Sequence, residues 1–256
     1  MAPDPLATSV SFSRTQLSAE DLQRHDDAYG ALTEAVRELC DAQLRTRVSL
    51  DEAGAVTEEI QALTRRLLAD ARPGALGMEL DHDGGGREHG NAVLGLRNPI
   101  AMAVGPHSMF WDGNGASATL ALGPVYEGPS GCVHGGVIAL VLDQLFAEAA
   151  AAAGHPGMTA GLTLTYRRPT PLGTVRVSAW VEKVDGRKRV VKARCEDADG
   201  NLTVEGEALL ILPRRILEMD AVWPKRPPKA VRDTRPKPAS TSDSADLPDR
   251  RGEPAR

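Results

Sequence analysis

The chain has 256 residues, enough for one sizeable domain with additions or for two small ones. Its 41% hydrophobic and 25% charged content is that of a soluble globular protein, and with only 4% aromatics the core must be built from Val, Leu, Ile and Ala. A formal charge of −5 removes any whole-chain case for nucleic-acid binding.

Residues 1–17 read as a polar, flexible lead without the basic-then-apolar pattern of a signal peptide. Ser18-Ala-Glu-Asp21 fits a capping box with Asp in place of Glu. Leu22, Tyr29, Leu32, Val36, Leu39 and Leu44 then recur at helical spacing to about Arg47. A second helical pattern runs from about Asp51 through Val56, Ile60, Leu63, Leu67 and Leu68 and ends before Pro73-Gly74. Residues 18–72 are therefore expected to form a helical N-terminal extension, arranged as a hairpin against the main domain or a partner subunit. The polar loop over 81–90 holds Asp81, His82, Asp83 and His89. Without a second ligand pair it reads as a flexible glycine-rich loop, and no metal is expected.

Beyond residue 90 the pattern turns strand-like, at Ala92–Leu96, Ser108–Trp111 and Ala116–Leu122. One long apolar helix is expected from Gly135 to Ala153, followed by strands at Thr159–Arg167, Gly173–Val184, Arg187–Glu196 and Leu202–Leu212. Asp185-Gly186 and Asp197-Ala-Asp-Gly200 are turn signals between the last three. A single helix enclosed by an antiparallel meander over residues 90–213 is an α+β architecture. From Trp223 to Arg256 there are nine Lys/Arg against five Asp/Glu, and seven prolines, with no apolar periodicity. That Pro-rich basic tail, 223–256, is expected to be disordered.

The apolar stretch Val133–Ala153 carries His134, Asp143, Gln144 and Glu148, so it is a core helix and not a membrane span. Asp143 sits mid-run among Val137, Ile138, Leu140, Val141, Leu142, Leu145 and Phe146. An unpaired carboxylate there costs several kcal/mol, so it needs a partner, an opening to solvent, or a function. Both a structural acid and a site residue stay open. Upstream, Gly128-Pro-Ser-Gly-Cys-Val-His-Gly-Gly136 lets a ligand approach the backbone, and the following helix start offers free N–H groups to an oxyanion. Gly135 and Asp143 are eight residues apart, about 12 Å along a helix. One small carbonyl cannot touch both within a chain, whereas two helices related by a two-fold axis could juxtapose them.

These residues resemble the hotdog-fold thioesterase superfamily, in its PaaI-type, THEM4-like branch. Four segments carry the resemblance: Glu127-Gly-Pro-Ser-Gly-Cys-Val-His-Gly-Gly-Val-Ile-Ala-Leu-Val-Leu-Asp143, Gly157-Met-Thr-Ala-Gly-Leu-Thr-Leu-Thr-Tyr166, Arg168-Pro-Thr-Pro-Leu-Gly173 and Val184-Asp-Gly-Arg-Lys188. They span about half of the chain and leave out the helical extension and the tail. The resemblance implies a single hotdog domain, a long helix wrapped by a curved antiparallel sheet, assembled as a homodimer or dimer of dimers with the active site at the subunit interface. It further implies hydrolysis of acyl-CoA thioesters to free acid and CoA. Asp143 is similar to the family's general base or nucleophile, and Gly135 to the residue whose N–H polarises the carbonyl. Thr159 matches a hydroxyl that orients water, and His134 a motif histidine with a structural, carbonyl-orienting role. Where part of the group has an Asn six residues before that histidine, this chain has Gly128. Coenzyme A enters only as part of the substrate, with no other cofactor. Gly136, Arg187, Lys188 and Arg168 are the expected contacts to substrate and CoA, and Arg167 is a weaker candidate.

Two rival nucleophiles fail on context. Cys132 lies two residues before His134 without an orienting Asn or Asp, and Ser130 lacks a GxSxG setting. Two other functions use the same fold, a non-catalytic acyl-CoA sensor and a thioesterase acting on acyl-carrier protein. Asp143 together with Thr159 favours an enzyme over the sensor, while the carrier-protein substrate, which the basic tail could meet, stays open. Cys40, Cys132 and Cys195 are widely spaced and form no CxxC pair, which suits a reducing cytoplasm.

Overall fold

The computed structural model describes residues 12–72, 77–81, 86–102 and 109–212. The tail 223–256, most of the lead, and His82 and Asp83 lie outside these residues.

The apolar run after the glycine-rich motif forms α3 (Gly135–Ala152), capped by His134. Ile138, Val141, Leu142, Leu145, Phe146, Ala149 and Ala150 of α3 are buried, whereas Gly136, Leu140 and Asp143 form a more open stripe at helical spacing. The helix is thus not sunk on every face, as its composition suggests. By length and apolarity it could cross a membrane, but here it is the core helix.

Six antiparallel strands wrap it: β4 (Met109–Trp111), β5 (Gly115–Leu122), β6 (Met158–Tyr166), β7 (Gly173–Asp185), β8 (Lys188–Glu196) and β9 (Leu202–Ile211). Their order across the sheet is β4-β5-β7-β8-β9-β6, which leaves β6 at an edge. Period-two alternation explains the packing. Leu120 and Leu122 of β5, Val175 and Val177 of β7, Val191 and Cys195 of β8, and Val204 and Leu210 of β9 face α3 and are buried. At Gly206 a Cβ would come within 2.8 Å of Leu164 and 2.9 Å of Phe146, so strand and helix meet there only because that side chain is missing. Gly186 (φ 54°) and Gly200 (φ 83°) make the two tight hairpins, the second fixed by Asp197 Oδ1 accepting from the N–H of Asp199 and Asn201. This is a hotdog, as the resemblance implies.

The N-terminal extension departs from expectation in three ways. The lead contributes a strand, β1 (Phe12–Arg14), parallel to β2 (Met78–Leu80), which pairs with β3 (Gly86–Arg87). Ala92–Leu96 is turn structure and not a strand. Asn91 Oδ1 accepts from the N–H of Val93 and Leu94, and the chain folds so tightly that a Cβ on Gly95 would lie 2.4 Å from the Asn91 carbonyl. Third, α1 (Ala19–Arg45) and α2 (Leu50–Leu68) do not pack as a hairpin, and α2 buries no residue. The capping box at Ser18 does form, its Oγ accepting from Asp21 N–H. α1 is pinned to the body by the Arg37 guanidinium, which donates to the carbonyls of Asn98 and Pro99. Arg97 stacks on Tyr29, and Asp26 pairs with Arg87.

Candidate active site

The turn before α3 is built from its own backbone. Gly128 N–H donates to the Cys132 carbonyl, Cys132 N–H to that of Pro129, and Gly131, at φ 75°, donates to Glu127 Oε1 (2.6 Å). Val133 N–H bonds to the Thr170 carbonyl and His134 N–H to that of Tyr126, locking the turn between two neighbours. A Cβ at Gly128 would stand 2.7 Å from His134 Cα, so the absent Asn side chain has no room in this arrangement.

His134 Nδ1 accepts from Gly136 N–H at 2.9 Å. In the neutral ring the proton is then on Nε2, and Nδ1 is spent as the helix cap. The Gly136 N–H is thereby used internally. Gly135 is different. No described residue accepts from its N–H, which stands free at the positive end of an 18-residue helix. Tyr166, at the far end of β6, donates its hydroxyl to the Gly135 carbonyl at 2.8 Å, and its ring lies 3.4 Å from where a Gly135 Cβ would be. Sequence reasoning passed over Tyr166. Its position, on the strand that doubles back along α3, was the available signal.

Asp143 is half-buried, and its Oδ1 is buried without a hydrogen-bond partner. Asp143 lies on the more open stripe of α3, and no described residue bonds its Oδ1. The neighbouring acid is the contrast. Glu148, also on α3 and fully buried, accepts from Trp111 Nε1 (3.0 Å) and Gln144 Nε2 (2.9 Å), and Gln144 in turn accepts from Asn91.

Thr159 reaches the α3 side of the sheet through a β-bulge. Counting by two from Tyr166 and Leu164 would put Ala160 on that face. The register slips between Thr159 and Gly161, so Thr159 pairs with Leu210, which is fully buried against the helix. Paired residues share a face, so Thr159 points to the α3 side while staying exposed at the edge.

The basic candidates divide between the two ends of the sheet. Lys188 pairs with Ile211, which pairs with Met158, so Lys188 stands two strands, about 10 Å, from the Thr159 end of β6. Arg187 is exposed beside it and donates to the Leu212 carbonyl. Arg168 follows the opposite end of β6, near Tyr166, and its charge helps hold the Asp197 carboxyl below the usual range, behind the larger effect of Asn201 hydrogen bonding. Arg167 is committed to Glu205 at 2.8 Å. Arg189, which the sequence reading did not single out, is buried and ties the β7–β8 turn to the segment after α3 through the Gly186 and His155 carbonyls. Of the loop's metal candidates, His82 and Asp83 lie outside the described residues, and His89 is engaged with Glu79.

Comparison with known proteins follows the same segments. The thioesterase superfamily model matches residues 130–204, from the turn before α3 into β9. The acyl-coenzyme A thioesterases THEM4 of Xenopus laevis and Mus musculus are 40% and 38% identical over 91 and 87 residues, which is 35% and 33% of this chain. The chain spans less than half of those relatives, 41% and 37% of their lengths. The crystal structure of a thioesterase superfamily protein is 32% identical, with a TM-score of 0.61, covering 72% of this chain and 90% of that one. Its coverage reaches beyond the hotdog body, and with fold, turn and helix alike in agreement, this chain belongs to the thioesterase superfamily.

Proposed function

We propose that the protein hydrolyses acyl-CoA thioesters to the free acid and CoA. The observation that carries this reading is the Asp143 carboxylate, held half-buried on the open stripe of α3 with an oxygen that no described residue satisfies. A carboxylate so placed accepts a proton from water attacking the thioester carbonyl, or attacks that carbon itself. The Gly135 N–H and the helix dipole stabilise the charge that forms on the carbonyl oxygen on attack. As that charge collapses the C–S bond breaks, and the thiolate of CoA takes up the proton given by the attacking water and leaves as the thiol. Thr159 orients the water, and His134 shapes the helix start and does not act as a base.

The reading requires two chains. Gly135 and Asp143 lie about 12 Å apart along α3. Thr159 and Tyr166 sit near opposite ends of β6, a strand of about 26 Å. One chain therefore carries two half-sites. β6 is an edge strand of nine residues with no proline, and Met158, Leu162 and Tyr166 are exposed along it. Antiparallel pairing of β6 with its own copy about Leu162 brings Thr159 of one chain beside the Tyr166 and Gly135 end of the other. Arg187 and Lys188, at the Thr159 end, then face the CoA phosphates from the rim, while Gly136 and Arg168 border the Gly135 end. The three cysteines are unpaired, which suits a reducing compartment such as the cytoplasm.

A panel of acyl-CoA esters assayed by thiol release tests the reaction. Asp143→Asn keeps the shape and removes the base, so kcat falls by on the order of 10²–10⁴. Wild-type turnover in the folded variant would refute the mechanism. Saturable binding of acyl-CoA without turnover would instead point to a sensor, and hydrolysis confined to acyl-carrier-protein esters to the carrier-protein reading.

A further inference from the structure

α2 is a 19-residue helix with a well-formed start, Ser49 Oγ accepting from Glu52 N–H, yet no residue of it is buried among the described residues. In proteins most helical stability comes from packing an apolar face and not from propensity. Such a face exists. Ala53, Val56, Ile60, Leu63 and Leu67 recur at spacings of three and four, the a and d positions of successive heptads, and Leu63 and Leu67 are 51% and 56% exposed.

The charges say what covers it. Asp51, Glu52, Glu58 and Glu59 occupy the first part of α2, and Arg65 and Arg66 the last turn. Among the described residues none of these six has an ion-pair partner. With Ile60 and Leu63 at a and d, Glu59 and Arg66 are successive g positions. Two parallel copies would face Glu59 with Thr64 and align acid with acid. Two antiparallel copies stack Ile60 on Leu63 and Val56 on Leu67, and face Glu59 of each with Arg66 of the other, twice by symmetry.

We infer that α2 is a homotypic contact, pairing antiparallel with α2 of a second copy of this chain. The contact is separate from the β6 edge and from the chemistry at Asp143, so it stands whether or not the proposed reaction is right. It also explains why α2 does not fold back on α1: its partner is in another molecule.

Full-length chains carrying Ile60→Cys and Leu63→Cys, each with its own tag, are mixed and treated with a short bis-maleimide, and the products are mapped by peptide mass. The 60-to-63 interchain product should dominate. Dominant 60-to-60 and 63-to-63 products, links to the α1 thiol Cys40, or no α2 link at all would overturn the proposal. Val56→Cys with Leu67→Cys repeats the test in case the central pair perturbs association. In these backgrounds Glu59→Arg, or Arg66→Glu, in both chains should lower the yield on the order of tenfold, two symmetric pairs being lost and made repulsive. Mixing one Glu59→Arg chain with one Arg66→Glu chain should restore it, since every facing pair is again of opposite sign. Failure of that rescue, with helicity intact by circular dichroism, would equally overturn antiparallel self-pairing.

Discussion

The active site proposed to be shared between two chains predicts complementation between two inactive variants, Asp143→Asn and Gly135→Pro. The second removes only the N–H that is free in the chain. Proline is favoured at the first position of a helix, which Gly135 occupies, and the His134 backbone (φ −61°, ψ 132°) is the one a residue before proline prefers. The ring meets the Tyr166 side chain at ordinary contact distance, 3.4 Å from the Cβ position, so the fold should hold. Each variant alone should be inactive, because every site lacks either its base or its oxyanion donor. In a mixed dimer one site has both lesions and the other has neither. Random assortment makes half the dimers mixed, each with one good site of two, so about a quarter of wild-type thiol release should return in a two-fold symmetric assembly. If heterodimers verified by mass and correctly folded recover nothing, the base and the donor act within one chain, and the argument from eight residues of helix rise is wrong.

Thr159→Ala should reduce kcat about tenfold to a hundredfold, less than Asp143→Asn, because a hydroxyl that positions water contributes geometry alone; equal losses would mean its role is misassigned. Replacing Arg187 and Lys188 by Ala should raise KM for acyl-CoA more than it lowers kcat, with a smaller effect on a pantetheine thioester lacking the nucleotide. An equal defect on both substrates would show that the pair serves the fold. His89 yields a pH prediction. Burial, and then the Arg97 charge, push its pKa below the ordinary 6.5, so the folded chain resists protonation that the unfolded chain accepts. The stability it contributes is present above 6.5 and lost as pH falls through the lower folded value. Denaturant midpoints should therefore drop between about pH 7 and 5, and the drop should be smaller in His89→Gln. Identical pH slopes in the two proteins would rule this out.

The core helix and the turn before it were legible in the sequence because their signals are local. Glycines mark where the backbone must turn, an apolar run of helical length marks the core, and a lone carboxylate within that run is costly wherever the run packs. The strands β5 to β9 were legible for the same reason, since alternation and turn residues act over a few positions. Thr159 was placed by resemblance. What aims it at the helix is a one-residue slip opposite Leu210, a property of two strands and not of one segment.

The errors share that cause. Ala92–Leu96 has strand-like composition, but the Asn91 side chain captures its backbone donors before any neighbouring strand can. The lead looked unstructured because β1 is stabilised only by β2, more than sixty residues away. Two amphipathic helices in succession read as a hairpin, yet an apolar face names no partner, and among the described residues none of α2 is buried. Periodicity and composition thus decided which segments are helix or strand and which helix carries the acid. Only the tertiary structure decided that Asp143 is left without a partner while Glu148 is satisfied, that the Gly135 N–H is free while that of Gly136 is capped, and that β6 stands at the edge. Each of these depends on which groups meet across the fold, and hydrogen-bond satisfaction is a property of pairs that no single residue encodes.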